Sequence, residues 1–215
     1  MQLKEWMPIY REILLDFGFD SAQDERSARI LSRLLTLKGS LKATNERLQR
    51  IINGRDVLVC GKAPTLASDI KSGKIESGEV IIAADGATSV LLAQGVIPSI
   101  IVSDLDGRIR DLKLANVMCA IMIIHAHGDN IGAIQEHVPS LSAVLGTTQS
   151  LPTTNVFNFG GFTDGDRAIF LAREYGARAV SAIGFDFTDR TVSQIKRKKL
   201  QWAKWLLERM DVNVR

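Results

Sequence analysis

The chain has 215 residues, 46% of them hydrophobic and 24% charged, and a formal net charge of +3. This length can bury a full core without staples such as disulfides, and the composition is typical of a soluble globular protein. The charge is too small to indicate nucleic acid as a partner. Because no charged-then-apolar leader and no apolar run of bilayer length stand out, we expect a cytoplasmic protein with no membrane partner.

The two cysteines support the same expectation. Cys60 and Cys119 both lie in apolar runs that resemble buried strands. We therefore interpret them as small hydrophobic residues in a reducing compartment and not as a disulfide.

Residues 1–53 are predicted to form an N-terminal helical appendage of two or three amphipathic helices. In the first helix, apolar side chains recur at helical spacing from Trp6 to Phe17, and Gly18 is a plausible stop. Nothing in this segment indicates chemistry. Its expected role is to pack against the main domain or against a second subunit, which leaves a homodimer open.

Residues 54–215 are predicted to form the α/β domain, because apolar runs alternate there with stretches of helical period. The runs are aliphatic without alternation, as expected for strands covered on both faces. The fold class is therefore α/β, with a doubly wound, mostly parallel sheet. The predicted strands are RDVLVCG, EVIIAADG, PSIIVSDLDG, MCAIMIIHAHGDN, SAVLGTT, NVFNFGG and ARAVSAIGFDF.

Polar residues stand where these runs stop. Ligands of doubly wound sheets bind at the carboxyl ends of the strands, so these residues are the candidates for a site. Aspartate is a poor strand residue and a good helix cap, which explains one or two such positions but not a whole rim. The rim consists of Asp85, Asp104, Asp106, His125, His127, Asp129, Asp164, Asp166 and Asp186.

Asp104 and Asp106 indicate a magnesium site. They are two residues apart, so on an extended backbone their carboxylates point the same way. Like charges this close repel unless a cation lies between them, and carboxylate oxygens suit Mg²⁺. Asp129, after a neighbouring strand, is predicted to be the third ligand. The alternative is a tight loop at Gly107 that caps the next helix.

His125 and His127 share a face and allow two interpretations. His-x-His is a common half of a zinc site, which Asp129 or Asp104 would complete. The interpretation we prefer is that the imidazoles donate hydrogen bonds to phosphate oxygens or line the pocket beside Asp129. Asn130 belongs to the same predicted phosphate-binding stretch.

Three further segments are candidates for phosphate binding. GKAPTL begins at Gly61, and ADGATS contains Asp85 and Gly86; each joins a strand to a helix whose N–H groups face the rim. Neither is a Walker A loop or a G-x-G-x-x-G fingerprint. In the last helix, Lys196 and Lys199 share a face by their spacing and are predicted to reach bound phosphates.

The order of four motifs resembles one family. AADGATS, VSDLDG, HAHGDN and GGFTDGDRA follow one another as they do in the archaeal 6-hydroxymethyl-7,8-dihydropterin pyrophosphokinases, whose catalytic domain is similar in fold to thiamine pyrophosphokinase. The resemblance covers roughly residues 55–200. Lys62 and Thr65 depart from the G-x-G-P-S-L-like loop expected there.

The resemblance implies Mg²⁺-dependent transfer of diphosphate from ATP to the hydroxymethyl group of a reduced pterin, with release of AMP, in folate or methanopterin biosynthesis. By analogy with the thiamine enzyme, the aspartates at 104, 106 and 129 would bind the metal, and Asp85 would lie near the nucleotide. The partners are then small molecules, ATP and the pterin.

The residues suggest roles for this chemistry. Attack by a hydroxyl on phosphorus needs positioning and charge neutralisation more than a covalent nucleophile. Arg167 or a lysine of the last helix would stabilise developing charge, and a carboxylate or His127 would accept the hydroxyl proton. The guanidine-like edge of a pterin suits a carboxylate, so Asp164, Asp166 and Asp186 are candidates to recognise it, although each is equally a candidate helix cap.

Two other functions remain open from the sequence. One is a zinc-dependent hydrolase built on His125, His127 and a carboxylate. The other is a nucleotide-binding module without catalysis, in which the aspartates simply cap helices. Within the favoured class, thiamine or another primary alcohol is an alternative acceptor, because fold resemblance transfers poorly to substrate choice.

Overall fold

A computed structural model describes residues 1–210 and 212–215. Its centre is one eight-stranded sheet in the order β6-β5-β4-β3-β2-β1-β7-β8, in which each neighbouring pair is parallel. The predicted α/β class with a doubly wound parallel sheet is confirmed. The strands are β1 (Asp56–Cys60), β2 (Val80–Ala84), β3 (Ile100–Ser103), β4 (Ile121–Ala126), β5 (Val144–Thr148), β6 (Val156–Phe157), β7 (Ala179–Ile183) and β8 (Asn213–Val214).

Helices cover both faces of this sheet, as a parallel sheet requires. They are α1 (Leu3–Phe17), α2 (Ser21–Lys38), α3 (Leu41–Ile52), α4 (Leu66–Lys71), α5 (Ala87–Ala93), α6 (Ile109–Val117), α7 (Ile131–His137), α8 (Asp164–Glu174) and α9 (Gln194–Glu208). The aliphatic runs become strands because both of their faces are buried; every residue of β4 is buried.

The strand order reverses between β1 and β7. The chain steps outward from β1 to β6, and α8 then carries it back to β7 on the other side of β1. Such a switch point opens a crevice at the carboxyl ends of the strands. The loops after β1 and β7 touch there, because the amide of Gly61 donates to the Ile183 carbonyl at 2.9 Å and a β-carbon on Gly61 would lie 2.6 Å from the Gly184 carbonyl oxygen.

The three N-terminal helices are built into the packing of the sheet. On one face, Leu31 and Leu35 of α2 join a core with α4 to α7. On the other face, Leu48 and Ile52 of α3 join a core with α8 and α9. The buried Trp6 of α1 belongs to a third core, together with Phe170 of α8 and Leu206 of α9. A boundary between residues 1–53 and 54–215 stays a prediction, and the homodimer does as well.

Two details differ from the sequence-based expectations. Cys60 is buried in β1, but Cys119 is exposed and lies in the turn before β4, with a φ of 75°. The two-residue strand β8 was not predicted, since so short an edge strand leaves little periodicity to detect.

Among the described residues, none of the helices combines the length and the apolar character that crossing a membrane requires.

Candidate active site

A cleft of about 690 Å³ lies over the carboxyl ends of the strands. Its floor is formed by the residues that follow β1 to β5 and β7. One wall is α9, and the opposite wall is the corner between α1 and α2 together with the start of α8. Apart from Asp166, the predicted rim of polar strand ends therefore faces a single cavity.

Three carboxylates meet in the middle of the floor. Oxygen atoms of Asp85, Asp104 and Asp106 all lie within 4.8 Å of one another, and we call this group the acid trio. Asp104 and Asp106 were predicted as a pair of metal ligands, but Asp85 replaces Asp129 as the third member. Asp129 is exposed in the 3₁₀ turn Gly128–Asn130 at the edge of the cleft, and the structure does not bring it into the trio.

The backbone holds Asp85 in an unusual conformation. Its φ is 27°, which β2 reaches as it turns into α5, and Ser103 Oγ donates to its Oδ2. Gly107 leaves room for this carboxylate, because a β-carbon there would lie 1.6 Å from Asp85 Oδ1. Among the described residues, Asp85 Oδ1 accepts no hydrogen bond of ordinary geometry although it is buried. A buried carboxylate oxygen without a donor is a good position for a cation.

The electrostatics of the trio have the same implication. Burial, with the charges of Asp106 and Asp104, raises the pKa of Asp85 to about 6. Burial and the neighbouring Asp104 also raise the pKa of Asp106. Burial alone would raise the pKa of Asp104 too, but hydrogen bonds from His127 and from the Asp106 amide outweigh it and lower that pKa to about 2. The trio thus carries more negative charge than its surroundings compensate.

His127 and Asn130 position Asp104. His127 Nε2 lies 3.2 Å from Asp104 Oδ2, and His127 Nδ1 accepts from the Asp129 amide at 3.4 Å. The Asn130 amide nitrogen donates to the carbonyls of Asp104 and His125, at 2.8 and 2.6 Å, and its Oδ1 accepts from the His127 amide at 3.1 Å. Both ends of the Asn130 amide therefore already form hydrogen bonds within the chain, which does not favour the predicted role in phosphate binding. The side chain instead connects the ends of β3 and β4.

His125 lies beside His127 and contacts Arg167. The two rings stack with their centroids 5.9 Å apart, and Arg167 Nη1 lies 2.9 Å from His125 Nδ1. A guanidinium can only donate, so His125 Nδ1 accepts and its proton is on Nε2. Burial, reinforced by the Arg167 charge, lowers the pKa of His125 well below its ordinary value.

This arrangement disfavours the zinc site. His127 Nδ1 accepts a backbone hydrogen bond while its Nε2 faces an ionised carboxylate and must donate. His125 Nδ1 accepts from Arg167, which leaves the proton on Nε2. Neither ring has a free lone pair for a metal in this arrangement, and a zinc ligand needs one.

Lysines line the wall opposite the start of α8. Lys196 and Lys199 both face the cleft, as their spacing predicted, and their charges act to lower the pKa of Asp106. Lys198 points the other way, where its Nζ lies 2.8 Å from Asp16 Oδ1 on α1. Of the four consecutive basic residues at 196–199, Lys196 and Lys199 therefore line the cleft and Lys198 does not.

Lys62 belongs to the same cationic lining. A β-carbon on Gly86 would lie 2.8 Å from Lys62 Nζ, so the lysine extends over the turn between β2 and α5. The Ala63 amide donates to the Gly184 carbonyl at 2.8 Å, as the Gly61 amide does to Ile183. These two amides of the GKAPTL loop are therefore not free to bind phosphate. The group that the loop presents to the cleft is the Lys62 side chain. Lys62, the departure from the family pattern, has a position that favours phosphate binding.

The aspartates predicted to recognise a pterin separate into two kinds. Asp166 is buried and accepts from the amides of Phe162 and Thr163 at 2.8 and 2.6 Å, so it is used as the cap of α8 and does not reach the cleft. Asp164 lines the cleft, and burial together with Asp104 and Asp85 raises its pKa well above the ordinary value. Asp186 also lines the cleft, where it accepts from the Thr188 amide at 2.8 Å.

The N-terminal helices supply residues that sequence reasoning missed. The corner between α1 and α2 brings Phe19 and Asp24 to the cleft, together with Gln149 from the end of β5. Asp24 is buried and accepts from Tyr10 Oη and from Gln149 Nε2, each at 2.7 Å. Aspartate is common in the first turn of a helix, so the sequence around Asp24 does not indicate a functional site. The packing of α2 on β4 and β5 brings Asp24 to the cleft.

The fold and the cleft define a class: a doubly wound α/β protein whose ligand cleft, lined by carboxylates and lysines, lies at the carboxyl edge of its sheet. The chain belongs to the family described as 6-hydroxymethylpterin diphosphokinase MptE-like, which it matches over residues 32–191. The family predicted from the four motifs is confirmed.

Three relatives carry the name 6-hydroxymethyl-7,8-dihydropterin pyrophosphokinase, and all are archaeal. The protein from Pyrococcus furiosus is 42% identical over 228 residues, covering 100% of this chain and 96% of its own. The proteins from Methanocaldococcus jannaschii (40% identical, covering 96% and 95%) and Methanothermobacter thermautotrophicus (38%, covering 99% and 97%) are similar over comparable lengths. Among solved structures, a probable thiamine pyrophosphokinase from Staphylococcus saprophyticus matches with a TM-score of 0.34 and 16% identity, covering 74% of this chain and 63% of that one.

Proposed function

We propose that this protein transfers diphosphate from ATP to the hydroxymethyl group of 6-hydroxymethyl-7,8-dihydropterin and releases AMP. The observation that carries the proposal is the acid trio, which lies in the middle of a cleft with Lys196 and Lys199 on its wall. The names of the relatives supply the donor and acceptor chemistry. ATP and the pterin as partners, a cytoplasmic location and a step in folate or methanopterin biosynthesis belong to the same proposal.

Mg²⁺ is the proposed cofactor, and the trio fits it. Three carboxylates provide the hard oxygen ligands that Mg²⁺ selects, and Asp85 Oδ1 is a buried oxygen without a donor among the described residues. Asp85, Asp104 and Asp106 would hold the ion, which would supply positive charge that neutralises the phosphates. Asp129 lies outside the trio, so its role as a metal ligand stays a prediction from the sequence alone.

The residues of the chain divide the remaining work. The acceptor hydroxyl attacks the β-phosphorus, and the bond from that phosphorus to the oxygen bridging the α- and β-phosphates breaks, so that AMP leaves. Lys62, Lys196 and Lys199 hold phosphate oxygens and balance their charge. We assign Asp164 to accept the hydroxyl proton, because it is a carboxyl that lines the cleft outside the trio.

His127 is not the base in this proposal. Its Nδ1 already accepts a hydrogen bond and its Nε2 donates to Asp104, so no lone pair is free for the proton. Its role is to orient Asp104. Asp186 and the aromatic side chains of the cleft remain for recognition of the pterin and adenine rings, which bury large flat surfaces.

The test is an assay of AMP formation with separate acceptors. Purified protein is incubated with ATP and Mg²⁺, and with 6-hydroxymethyl-7,8-dihydropterin, thiamine or no acceptor, and AMP and the diphosphorylated product are separated by chromatography. We expect equal amounts of AMP and pterin diphosphate, formed only in the pterin arm and lost when EDTA is added. AMP in the thiamine arm alone would transfer the proposal to a thiamine diphosphokinase. Activity restored by Zn²⁺ and not by Mg²⁺ would contradict the proposed cofactor.

A further inference from the structure

One buried ring nitrogen on the floor of the cleft has no hydrogen-bond partner in the described part of the chain. Among the described residues, His125 Nε2 has no hydrogen-bond partner, although the His125 side chain is 1% exposed and lines the cleft. A buried donor left without a partner lowers the stability of the fold, because it has lost its hydrogen bond to water. Such a group needs an explanation, and an incoming ligand atom is one.

The proton on this nitrogen is held there by Arg167. The guanidinium has donors only, so its contact of 2.9 Å with His125 Nδ1 fixes that nitrogen as an acceptor. Thr147 Oγ1 lies 3.3 Å from the same nitrogen and donates to the Ile124 carbonyl at 3.4 Å, so the tautomer is fixed by Arg167 and not by this hydroxyl. The adjacent guanidinium also opposes a second proton on the ring. His125 is therefore a neutral imidazole with its N–H on Nε2.

Arg167 is itself held in place by a chain of hydrogen bonds. Its Nη2 donates to Gln149 Oε1 at 3.0 Å and to the Phe162 carbonyl. Gln149 Nε2 donates to Asp24 Oδ2, which also accepts from Tyr10 Oη. The chain runs from α1 and α2 through the end of β5 to α8, so the orientation of His125 is set by elements from both ends of the sequence.

We propose that Arg167 is a positioning residue that holds His125 as the neutral Nε2–H tautomer, and that this N–H donates to a phosphate oxygen of the bound diphosphate. The oxygen acceptor is identified by location: the His125 ring stacks on His127, whose Nε2 contacts Asp104 of the acid trio. No proton is transferred in this role. The inference rests on the proposed function for the identity of the ligand, but the tautomer does not depend on it.

The tautomer is measured first, on the protein without substrate. The chain has three histidines, so a long-range ¹H–¹⁵N spectrum of ¹⁵N-histidine-labelled protein contains three ring systems, which His137→Gln and His127→Gln assign. We expect His125 to show Nε2 protonated and Nδ1 unprotonated from pH 6 to pH 8. An Nδ1–H tautomer, or a ring that becomes doubly protonated in that interval, would overturn the positioning role.

Titrations then identify the acceptor oxygen. In one arm the labelled protein receives α,β-methylene-ATP with Mg²⁺, and in the other it receives 6-hydroxymethylpterin alone. We expect the His125 Nε2–H resonance to move downfield in the first arm only. A shift in the pterin arm only would overturn the phosphate assignment in favour of a pterin oxygen, and no shift in either arm would overturn donation to a ligand.

Paired variants test the donor in the reaction. His125→Gln places an amide N–H near the position of Nε2, whereas His125→Asn places it near Nδ1. Since a hydrogen bond to a charged group contributes about 1.5–3 kcal/mol, we expect His125→Asn to lower kcat about tenfold to a hundredfold and His125→Gln to retain most of it. Equal losses in the two variants would overturn the role of an Nε2–H donor.

Arg167→Lys and Arg167→Gln test the positioning residue. In Arg167→Gln we expect the His125 ring to lose its single tautomer, with kcat falling while the KM for ATP changes little. Arg167→Lys is the conservative variant, and because an ammonium also has donors only, it should retain part of the tautomer preference and of kcat. Arg178→Gln is the matched control, because Arg178 pairs with Asp56 at the opposite end of the sheet. A His125 tautomer unchanged in both Arg167 variants would overturn the inference. Correct tautomer and ligand shifts together with no AMP from any acceptor would instead contradict the proposed function and leave the positioning role standing.

Discussion

The two sides of the cleft floor balance their charges in different ways. At the ends of β2 and β3, Asp85, Asp104 and Asp106 crowd together with few donors, and Asp85 Oδ1 has none of ordinary geometry in the described part of the chain. At the ends of β4 and β5, by contrast, Arg167 contacts His125, Gln149 and the Phe162 carbonyl. The first side depends on a cation that comes from outside. On the second side, hydrogen bonds within the chain hold Arg167 and His125 in place, and the atoms left without a partner among the described residues are the nitrogens His125 Nε2 and Arg167 Nε.

This difference separates two kinds of preorganisation. The acid trio stores repulsion that a bound cation relieves, so its properties should change with pH and metal. The network around Arg167 consists of hydrogen bonds within the chain, which lead through Gln149 to the carboxylate of Asp24, so its geometry should persist without metal. Variants on the two sides should therefore respond differently to Mg²⁺.

The largest effect is expected on the acid side. Asp104→Asn keeps the shape of the side chain but removes the charge that the proposed Mg²⁺ needs and weakens the contact with His127. We expect kcat/KM to fall by about 10²–10³-fold, comparable to the loss of one essential electrostatic group. Initial rates of AMP release at saturating Mg²⁺ are the measurement. Wild-type rates in this variant would mean that the charge of Asp104 is not needed for catalysis.

A glycine pair tests the geometry of the same side without changing its charge. Gly107→Ala would place a β-carbon 1.6 Å from Asp85 Oδ1, so the carboxylate must move. We expect a loss of activity of about tenfold to a hundredfold, since displacements near 1 Å cost about that much. Gly132→Ala is the matched control, because a β-carbon on this glycine of α7 meets no heavy atom within 4 Å. Equal activity in the two variants would show that the position of Asp85 is unimportant.

Asp85→Asn should stabilise the metal-free protein. The folded-state pKa of Asp85 is raised to about 6, so the ionised carboxylate destabilises the fold above that pH, and this cost shrinks as pH falls toward the unfolded value. Removing the charge should therefore raise the free energy of unfolding by roughly 2–3 kcal/mol at pH 8 and by less at pH 5. Asparagine also tolerates the positive φ at this position.

Urea denaturation at the two pH values, with and without Mg²⁺, measures this effect. Mg²⁺ should stabilise the wild type at pH 8 and leave Asp85→Asn nearly unchanged, which narrows the difference between them. A variant less stable than the wild type at pH 8 without metal would contradict the idea that the trio stores repulsion.

The smallest effect is expected at Lys62, which contributes charge from the margin of the cleft. Lys62→Met keeps the aliphatic part of the side chain and removes the ammonium, so we expect the KM for ATP to rise about fivefold with little change in kcat, as for one partly solvated phosphate contact. Arg29→Met is a control, because Arg29 pairs with Glu25 on the outer surface of α2. A change in kcat alone would indicate that Lys62 acts on the transition state and not on binding.

Much of the fold could be predicted from local pattern. The aliphatic runs and the helical periods between them are set by burial on both faces of a parallel sheet, which each run records by itself. The same pattern predicted that Asp104, Asp106 and His125 would meet at one rim, because the carboxyl ends of parallel strands share an edge. Lys196 and Lys199 were also predictable, since their spacing places them on one face of α9.

Other assignments could not be made from local pattern. Asp164 and Asp166 are two residues apart at the start of α8, yet Asp166 caps the helix and Asp164 lines the cleft. The sequence predicts Asn130 as a polar residue of the rim, but its amide nitrogen donates to the carbonyls of Asp104 and His125, at the ends of β3 and β4. Each of these side chains has two chemically reasonable roles, and the choice depends on donors that lie far away in the sequence.

The sequence by itself determined the α/β class, the family and the edge of the sheet at which the site lies, because these follow from repeated local patterns and from motif order. Only the tertiary structure decided that Asp85 completes the acid trio and that the Arg167 side chain forms a hydrogen bond with His125. It also decided that Asp24, from a helix with no chemical signal, supports that contact through Gln149. Membership of the trio and of the Arg167 network depends on distances between side chains on different strands and helices, and such distances arise only when the chain packs.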